Sequence, residues 1–179
     1  MASLREIWLK KSAKNTRPIG KSKTVSWDRV KHLGVILYLE NQEVYRKMLE
    51  MQDRLESENP NLRVHFLFYL KEKEAPDYLV ATHHNFILKK HLGWNGHPKK
   101  DAIRKWLDKE FQVLINASSD ITELRILFKL TPASFRVSPQ GKFSKEDADL
   151  ILQTEKSLSL REQIETIIYY LKIIKPHGK

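Results

Sequence analysis

The chain of 179 residues contains no cysteine, only six glycines and seven prolines, and no long apolar run. Without cysteine it has no disulfide, no thiol nucleophile and no zinc site that depends on thiolate ligands. Apolar stretches such as Val35–Leu39 and Phe66–Leu70 are far shorter than the roughly 20 residues of a membrane-spanning helix. The first residues also lack the apolar centre and cleavage site of a signal peptide, so we expect a cytoplasmic protein.

Positive charge is concentrated at the N-terminus. The chain has 32 lysines and arginines against 22 acidic residues, a net charge of +10, and residues 1–32 hold nine of the basic residues with only two acids. Most of the excess therefore belongs to an N-terminal arm, and the high isoelectric point by itself does not indicate a nucleic-acid-binding domain.

The arm begins with a predicted basic helix. Ser3 followed by Glu6 matches the capping box of a helix N-terminus. Three apolar residues, Leu4, Ile7 and Trp8, follow at helical spacing, and we expect them to dock on the domain. In the alternative interpretation residues 1–23 lie on an anionic surface such as that of the inner membrane, making the protein peripheral to it.

The remaining chain alternates between short β-rich runs and helical periodicity. Gly34–Leu39 and Leu62–Leu70 are nearly continuous apolar runs, typical of strands covered on both faces, and a helical pattern separates them. Four further strands are predicted near residues 85–88, 112–117, 135–137 and 150–152. The alternation predicts a three-layer, Rossmann-like α/β sandwich with a mostly parallel sheet of about six strands.

The sequence also predicts the division of the chain, the starts of two helices and the pairing of the last two strands. We divide the chain into a basic helix and linker, residues 1–24, and a single α/β domain, residues 25–179. Pro98 is expected to open a helix, and Ser118 or Ser119 to cap the next one. Only eleven residues separate Val137 from Asp149, too few for a helical crossover, so an antiparallel pair or a bulged edge is expected there.

The known nucleotide-binding loops are missing. The first strand is followed by Glu40-Asn41-Gln42 without a glycine-rich turn, and no P-loop follows any strand. The Gly-x-Ser-x-Gly elbow of α/β hydrolases is also absent. We therefore expect no cofactor and assign no catalytic residue.

A basic loop after the third strand is the strongest candidate site. Between His83 and Lys109 the sequence has seven lysines and arginines, interleaved with aromatic residues. The loop leads to the predicted helix start at Pro98, where free N–H groups favour an anion and a bound anion would offset the lysines. The candidate ligand-binding residues are Lys89, Lys90, Trp94, Gly96, His97, Lys99 and Lys100.

We therefore predict a non-enzymatic domain that binds a phosphate-bearing ligand or nucleic acid at this loop. The loop is expected at the same sheet edge as the ends of strands one and four, where such sheets bind ligands. In the plainer alternative, the glycines serve turn geometry, Trp94 covers the sheet edge and the lysines are simply solvated.

The sequence also raises a metal site, an enzyme active site and a homodimer surface. Four histidines lie nearby, His83, His84, His91 and His97, but adjacent histidines on an extended segment point to opposite faces, so no metal site is predicted. An enzyme or enzyme remnant is the main rival, acting at strand ends through Glu40, Asn116, Ser118 and Asp120. In the last helix Tyr169 or Tyr170 lies outside the core-facing stripe, which leaves a homodimer open.

Several segments support a family resemblance. They are Gly34–Ile36, Leu92–Pro98, Phe111–Asn116, Ala133–Val137 and Asp149–Leu152. Over Arg29 to Ile174 the chain resembles a family of short, uncharacterised α/β proteins of Bacteroidota, a domain of unknown function. The resemblance implies the fold and brings no activity.

A weaker likeness concerns the first two strands with Asn59-Pro60, and Val113–Asn116 through Phe135–Val137. These segments are similar to the amino-terminal half of heptosyltransferase-type glycosyltransferases. The sugar-nucleotide-binding half of that family has no counterpart here, and the glycine-rich turn is missing, so the resemblance implies a fold and not catalysis.

Overall fold

The computed structural model describes residues 3–81, 84–99, 101–118, 120–140, 147–155 and 157–174. Its strands are β1 His32–Tyr38, β2 Arg63–Leu70, β3 Asn85–Leu88, β4 Phe111–Asn116, β5 Ala133–Pro139 and β6 Leu150–Leu152. Its α-helices are α1 Leu4–Asn15, α2 Gln42–Glu58, α3 Asp77–Val80, α4 Arg104–Leu107, α5 Thr122–Leu130 and α6 Leu160–Ile173. Short 3₁₀ helices cover Trp27–Arg29 and Lys89–His91.

The strands form one sheet in the order β3-β2-β1-β4-β5-β6, and every pair is parallel. This is the order of doubly wound sheets, in which two halves meet between β1 and β4. The prediction of an α/β fold with a six-stranded sheet and an N-terminal helix is confirmed.

The expectation for the last two strands is wrong. Val137 pairs with Leu150 and Pro139 with Leu152 in parallel register. Asp147 and Ala148, in the connection between them, are both buried, and Asp147 pairs with Lys129 of α5. The described end of the connection therefore lies on the α5 side of the sheet, and residues 141–146 lie outside the described residues.

Two apolar layers cover the sheet. On one face β1 and β2 pack with α2 and α6, through residues such as Val35, Met48 and Ile167. On the other face Ile36 and Leu114 pack with Phe128 of α5. The central strands are therefore buried on both sides, as their continuous apolar runs indicate.

The connection between β3 and β4 crosses the face covered by α5. Its Leu92, Ile103 and Trp106 join the core on that side, and Trp106 Nε1 donates to Thr131 Oγ1 at 2.9 Å. The expected helix at Pro98 is wrong, because Pro98 forms an antiparallel bridge with Leu92. In the described part of this connection the α-helix begins at Arg104.

The N-terminal helix docks through a different face from the one expected. Leu9 and Ala13 are buried against Ile126 of α5, whereas Leu4, Ile7 and Trp8 remain exposed. The capping box between Ser3 and Glu6 is present. The sequence therefore predicted the start of the helix correctly and assigned its buried face wrongly.

The linker after α1 runs beside β5. Ile19 N–H donates to Lys129 O at 2.9 Å, and Lys23 N–H donates to Ser134 O at 2.8 Å. Gly20 has a φ of +109°, and a Cβ there would lie 2.4 Å from Ala133 O, so only glycine fits. The arm thus contacts the domain along its length, and the boundary at residue 24 stays a prediction.

Candidate functional site

A buried ion cluster holds α1 in place. Lys129 is almost fully buried and donates to Ala13 O at 2.7 Å, while its Nζ lies 2.5 Å from Asp147 Oδ1. Arg125 pairs with the same carboxylate. Removing either type of charge would leave the other uncompensated in the interior, so the cluster fixes the C-terminal half of α1 against α5.

The loop after β3 folds back onto this helix pair. Residues 89–99 are called the crossover loop here. Its tip is closed by two backbone hydrogen bonds, from Gly93 N–H to His97 O at 2.7 Å and from Gly96 N–H to Gly93 O at 3.0 Å. Gly96 has a φ of +81°, and a Cβ there would lie 2.6 Å from Leu9 and 2.7 Å from Ile126. Glycine therefore lets the loop settle at the junction of α1 and α5.

His97 connects the loop with α1. Its Nε2 lies 3.1 Å from Ser12 Oγ and 3.3 Å from Thr16 Oγ1. Thr16 is the C-cap of α1, and both its N–H and its hydroxyl donate to Ser12 O, at 2.9 Å and 2.8 Å. The contact thereby joins two charge-rich segments that are 85 residues apart in the sequence.

A shallow cleft of about 300 Å³ lies between the loop and the helix. It is lined by Trp8, Lys11, Ser12, Asn15, Thr16, Asn95 and His97. These residues, together with Trp94, are called the α1–loop surface. It offers two hydroxyls, two side-chain amides, an imidazole and an ammonium group.

Two exposed indoles border this cleft. The Trp8 and Trp94 ring centres are 5.5 Å apart at an interplanar angle of 49°, within the range of an aromatic contact. Lys11 Nζ lies 5.3 Å from the centre of the Trp8 ring, in cation–π distance. Aromatic faces and positive charge therefore meet at one place on the surface.

The structure brings only some of the predicted site residues together. Trp94, Gly96 and His97 lie against α1, whereas Lys89 and Lys90 lie in the 3₁₀ helix that directly follows β3. Lys99 is exposed, and its N–H donates to His91 O. Lys100 lies outside the described residues.

Sequence reasoning missed the contribution of the helix. Lys11, Ser12, Asn15 and Thr16 line the cleft, yet no pattern in the sequence pairs them with a loop more than 80 positions away. The capping box and the basic charge of the arm were visible, but its contact with the loop depends on tertiary packing.

The strand ends form a separate cleft. It has a volume of about 510 Å³, and Glu40, Ser118 and Asp120 line it together with residues at the start of α6. None of the described residues of the crossover loop is among the residues that line it. The expectation that the loop shares this edge with Glu40 and Asn116 is corrected: its tip lies on α1 and α5.

Hydrogen bonds order the floor of this strand-end cleft. Ser118 Oγ accepts the N–H of Tyr38 at 2.9 Å, and Asn116 Oδ1 accepts the N–H of Ser118 at 3.1 Å. The amide nitrogen of Asn116 is buried without a hydrogen-bond partner among the described residues. Burial, helped by the charges of Glu72 and Glu40, raises the pKa of the Tyr38 phenol. Ser118 therefore stabilises the turn after β4 and does not cap α5, whose N-cap is Ile121; Ser119, the other expected cap, lies outside the described residues.

The histidines are spread over different contacts. His84 Nδ1 lies 2.9 Å from the Tyr45 hydroxyl, and His91 Nδ1 accepts the N–H of Leu88 at 3.2 Å. Burial lowers the pKa of both rings. His97 contacts α1, and His83 lies outside the described residues. Within the described ranges no three histidine or acidic side chains are grouped to hold a metal ion.

Comparison with known proteins gives a family and no activity. No curated protein and no solved structure matches the chain, so the likeness to heptosyltransferases stays a prediction. In the part of the chain that the structure describes, no helix has the length and apolarity required to cross a bilayer. The model of DUF6913, a family of unknown function, matches residues 5–174, and the chain therefore belongs to this family.

Proposed function

We propose that this protein is a non-enzymatic domain that binds a phosphate-bearing partner at the α1–loop surface. The observation that carries the proposal is the contact between His97 and Ser12 at 3.1 Å, because it joins the basic arm and the basic loop into one surface. The two segments hold much of the positive charge of the chain.

The chemistry of the cleft suits a phosphate group. Phosphate oxygens are bound by several hydrogen-bond donors together with positive charge. Lys11 supplies an ammonium group, Ser12 and Thr16 supply hydroxyls, and Asn95 supplies a side-chain amide at the rim. Lys10, Lys14 and Lys99 are exposed and add a favourable field around the site.

This differs from the mechanism that the sequence indicates. With no helix starting at Pro98, a helix dipole cannot hold an anion there. Lys99 therefore acts through its charge in solvent, and the specific contacts come from α1.

A fluorescence titration tests the proposal. The exposed indoles of Trp8 and Trp94 report on the cleft, and sn-glycerol 3-phosphate serves as the probe. We expect Lys11→Ala/His97→Ala to weaken binding at least about tenfold, since two charge-assisted or polar contacts are lost. Lys73→Ala, an exposed lysine in the loop after β2, is the matched control. Equal affinities for the double variant and this control would overturn the proposal.

The rival enzymatic interpretation rests on the strand-end cleft. Glu40, Ser118 and Asp120 do share it, but the described residues that line it include no histidine or lysine. The Ser118 hydroxyl oxygen already accepts the N–H of Tyr38, and no described hydrogen bond joins it to Glu40 or Asp120, as the pairing of a nucleophile with its base would require. Hydrolysis of a chromogenic phosphate or acyl ester that is lost in Ser118→Ala would instead favour the enzyme.

A further inference from the structure

We propose that the exposed face of α1 docks on an anionic lipid bilayer, with the lipid phosphate as the group that the α1–loop surface binds. This inference rests on the proposed function and names its partner. The docking face consists of Leu4, Ile7, Trp8 and Trp94.

The docking face is apolar and solvent-exposed. Leu4 is 75% exposed, Ile7 53%, Trp8 47% and Trp94 55%. Because Leu9 and Ala13 already bury the opposite side of the helix against α5, these four side chains do not contribute to the core. Large apolar side chains grouped on the surface of a soluble domain are typical of an interaction site.

Positive charge surrounds this face. Lys10, Lys11 and Lys14 are exposed on α1, and the exposed Arg17 lies just beyond the C-cap Thr16. Lysines beside aromatic and aliphatic residues are the composition of helices that lie in the membrane interface. Each lysine near an anionic leaflet strengthens binding by electrostatic attraction, and tryptophan is enriched at the depth of the headgroups.

The aliphatic residues distinguish a bilayer from other anionic or apolar partners. A nucleic acid would use the tryptophans for stacking and the lysines for its phosphates, but it gives no reason for exposed Leu4 and Ile7. A protein partner would use the apolar residues, yet lysine is depleted in protein interfaces. An anionic bilayer, in contrast, interacts favourably with the tryptophans, the lysines and the aliphatic residues together.

The crossover loop enlarges the apolar area of the docking face beyond that of the short helix α1. The 12 residues of α1 span about 18 Å along the membrane plane, which gives a small apolar area. Trp94 adds a second indole whose ring centre lies 5.5 Å from that of Trp8, on a loop that Gly96 and His97 hold in contact with α1. The docking face is therefore a preformed surface and needs no folding on binding.

Vesicle co-sedimentation of the full chain tests the inference. We expect binding to phosphatidylcholine vesicles that contain phosphatidylglycerol and much weaker binding to pure phosphatidylcholine vesicles. Lys10→Gln/Lys14→Gln should weaken binding by about 25-fold, since one lysine near the surface contributes about fivefold. Leu4→Ala/Ile7→Ala should weaken it by about tenfold or more. Val80→Ala/Tyr169→Ala removes exposed apolar groups elsewhere and should change nothing.

The outcomes separate this inference from the proposed function. Leu4 and Ile7 carry no charge and do not line the cleft, so Leu4→Ala/Ile7→Ala should bind sn-glycerol 3-phosphate as the unmodified protein does. Lys10→Gln/Lys14→Gln removes only charge near the cleft, so it should weaken binding of that probe far less than it weakens vesicle binding. Binding of that probe without binding to either vesicle overturns the membrane inference alone. Vesicle binding that is unaffected by both α1 variants also overturns it. Preferential binding of a single-stranded oligonucleotide identifies nucleic acid as the partner instead, and loss of all binding overturns both proposals.

Discussion

At the scale of single residues, Gly96 determines how the crossover loop meets the helices. Its positive φ and its close approach to Leu9 and Ile126 leave no room for a side chain. Gly93, three positions earlier, is less constrained, because the nearest atom to a Cβ there would be Asn95 Oδ1 at 3.1 Å, whereas a Cβ at Gly96 would lie within 2.7 Å of the buried side chains of Leu9 and Ile126. The two glycines of the same turn therefore have unequal roles.

Replacing each glycine with alanine tests this difference. We expect Gly96→Ala to lower the free energy of unfolding by about 1–3 kcal/mol, through backbone strain and overpacking. Gly93→Ala should cost clearly less. Urea denaturation followed by circular dichroism measures both, and equal losses would contradict the packing described for Gly96.

A second residue-scale feature, a contact between two histidines and a lysine, lies near the amino ends of β1 and β2. His65 Nδ1 lies 3.3 Å from Lys109 Nζ, and His65 Nε2 lies 3.2 Å from His32 Nδ1. Because an ammonium group can only donate, His65 must accept and stay neutral. Burial, with the charges of Lys109 and His32, lowers the pKa of His65 to about 4.

This pKa predicts a dependence of stability on acid. Between pH 6.5 and about 4 His65 is protonated in the unfolded chain but remains neutral in the folded protein. The free energy of unfolding should therefore fall as the pH falls through that window. His65→Gln should show a smaller fall between pH 7 and pH 5 in urea titrations, and an unchanged slope would contradict the assignment.

At the scale of elements, α1 has two apolar sides with different tasks. Leu9 is 5% exposed and packs on α5, whereas Leu4, five positions earlier, projects into solvent. Helical periodicity alone selected Leu4, Ile7 and Trp8 as the docking side, because the sequence does not show which side α5 covers. The burial of Leu9 and Ala13 is a tertiary result.

Two truncations within the same helix distinguish its sides. Leu9→Ala should destabilise the protein by about 2–4 kcal/mol, as expected for a buried leucine. Leu4→Ala should change stability by less than about 0.5 kcal/mol. Thermal or urea unfolding gives both values, and a larger loss for Leu4→Ala would show that the helix docks by the other face.

The ion cluster beneath α1 gives another test at this scale. Lys129→Met leaves Asp147 with one fewer cation and Ala13 O without its donor, so we expect a loss of about 3–5 kcal/mol. Amide hydrogen exchange should also rise in residues 4–15. Lys172→Met removes an exposed pair with Glu58 and should have little effect. Unchanged exchange in α1 would show that the cluster does not hold the helix.

At the scale of the whole molecule, the sequence predicts the strands and helices of each layer better than the paths of the long connections between strands. Continuous apolar runs indicated the buried strands, and periodicity indicated α2 and α6, because burial acts on local patterns. The position of the crossover loop could not be predicted, since β3 and β4 are separated by β2 and β1 in the sheet. Their connection must therefore cross one face, and that path brings it to α1. The pairing of Asp147, just before β6, with Lys129 of α5 likewise depends on tertiary packing that the sequence pattern does not show.

The strand-end cleft and the α1–loop surface differ in the sign of their charge. Acidic residues Glu40 and Asp120 line the strand-end cleft, whereas the α1–loop surface contains Lys11 and has the exposed Lys10, Lys14 and Lys99 in the same two segments. An anionic partner is therefore expected at the helix and the loop, away from the edge where sheets of this order commonly bind ligands.

Chemical-shift mapping by NMR tests this claim most directly. Titration of the isotope-labelled protein with sn-glycerol 3-phosphate should shift amide signals of α1 near Lys11 and Ser12 together with those of Asn95 and His97. Shifts confined to the strand-end cleft, or an absence of shifts at both segments, would contradict the account.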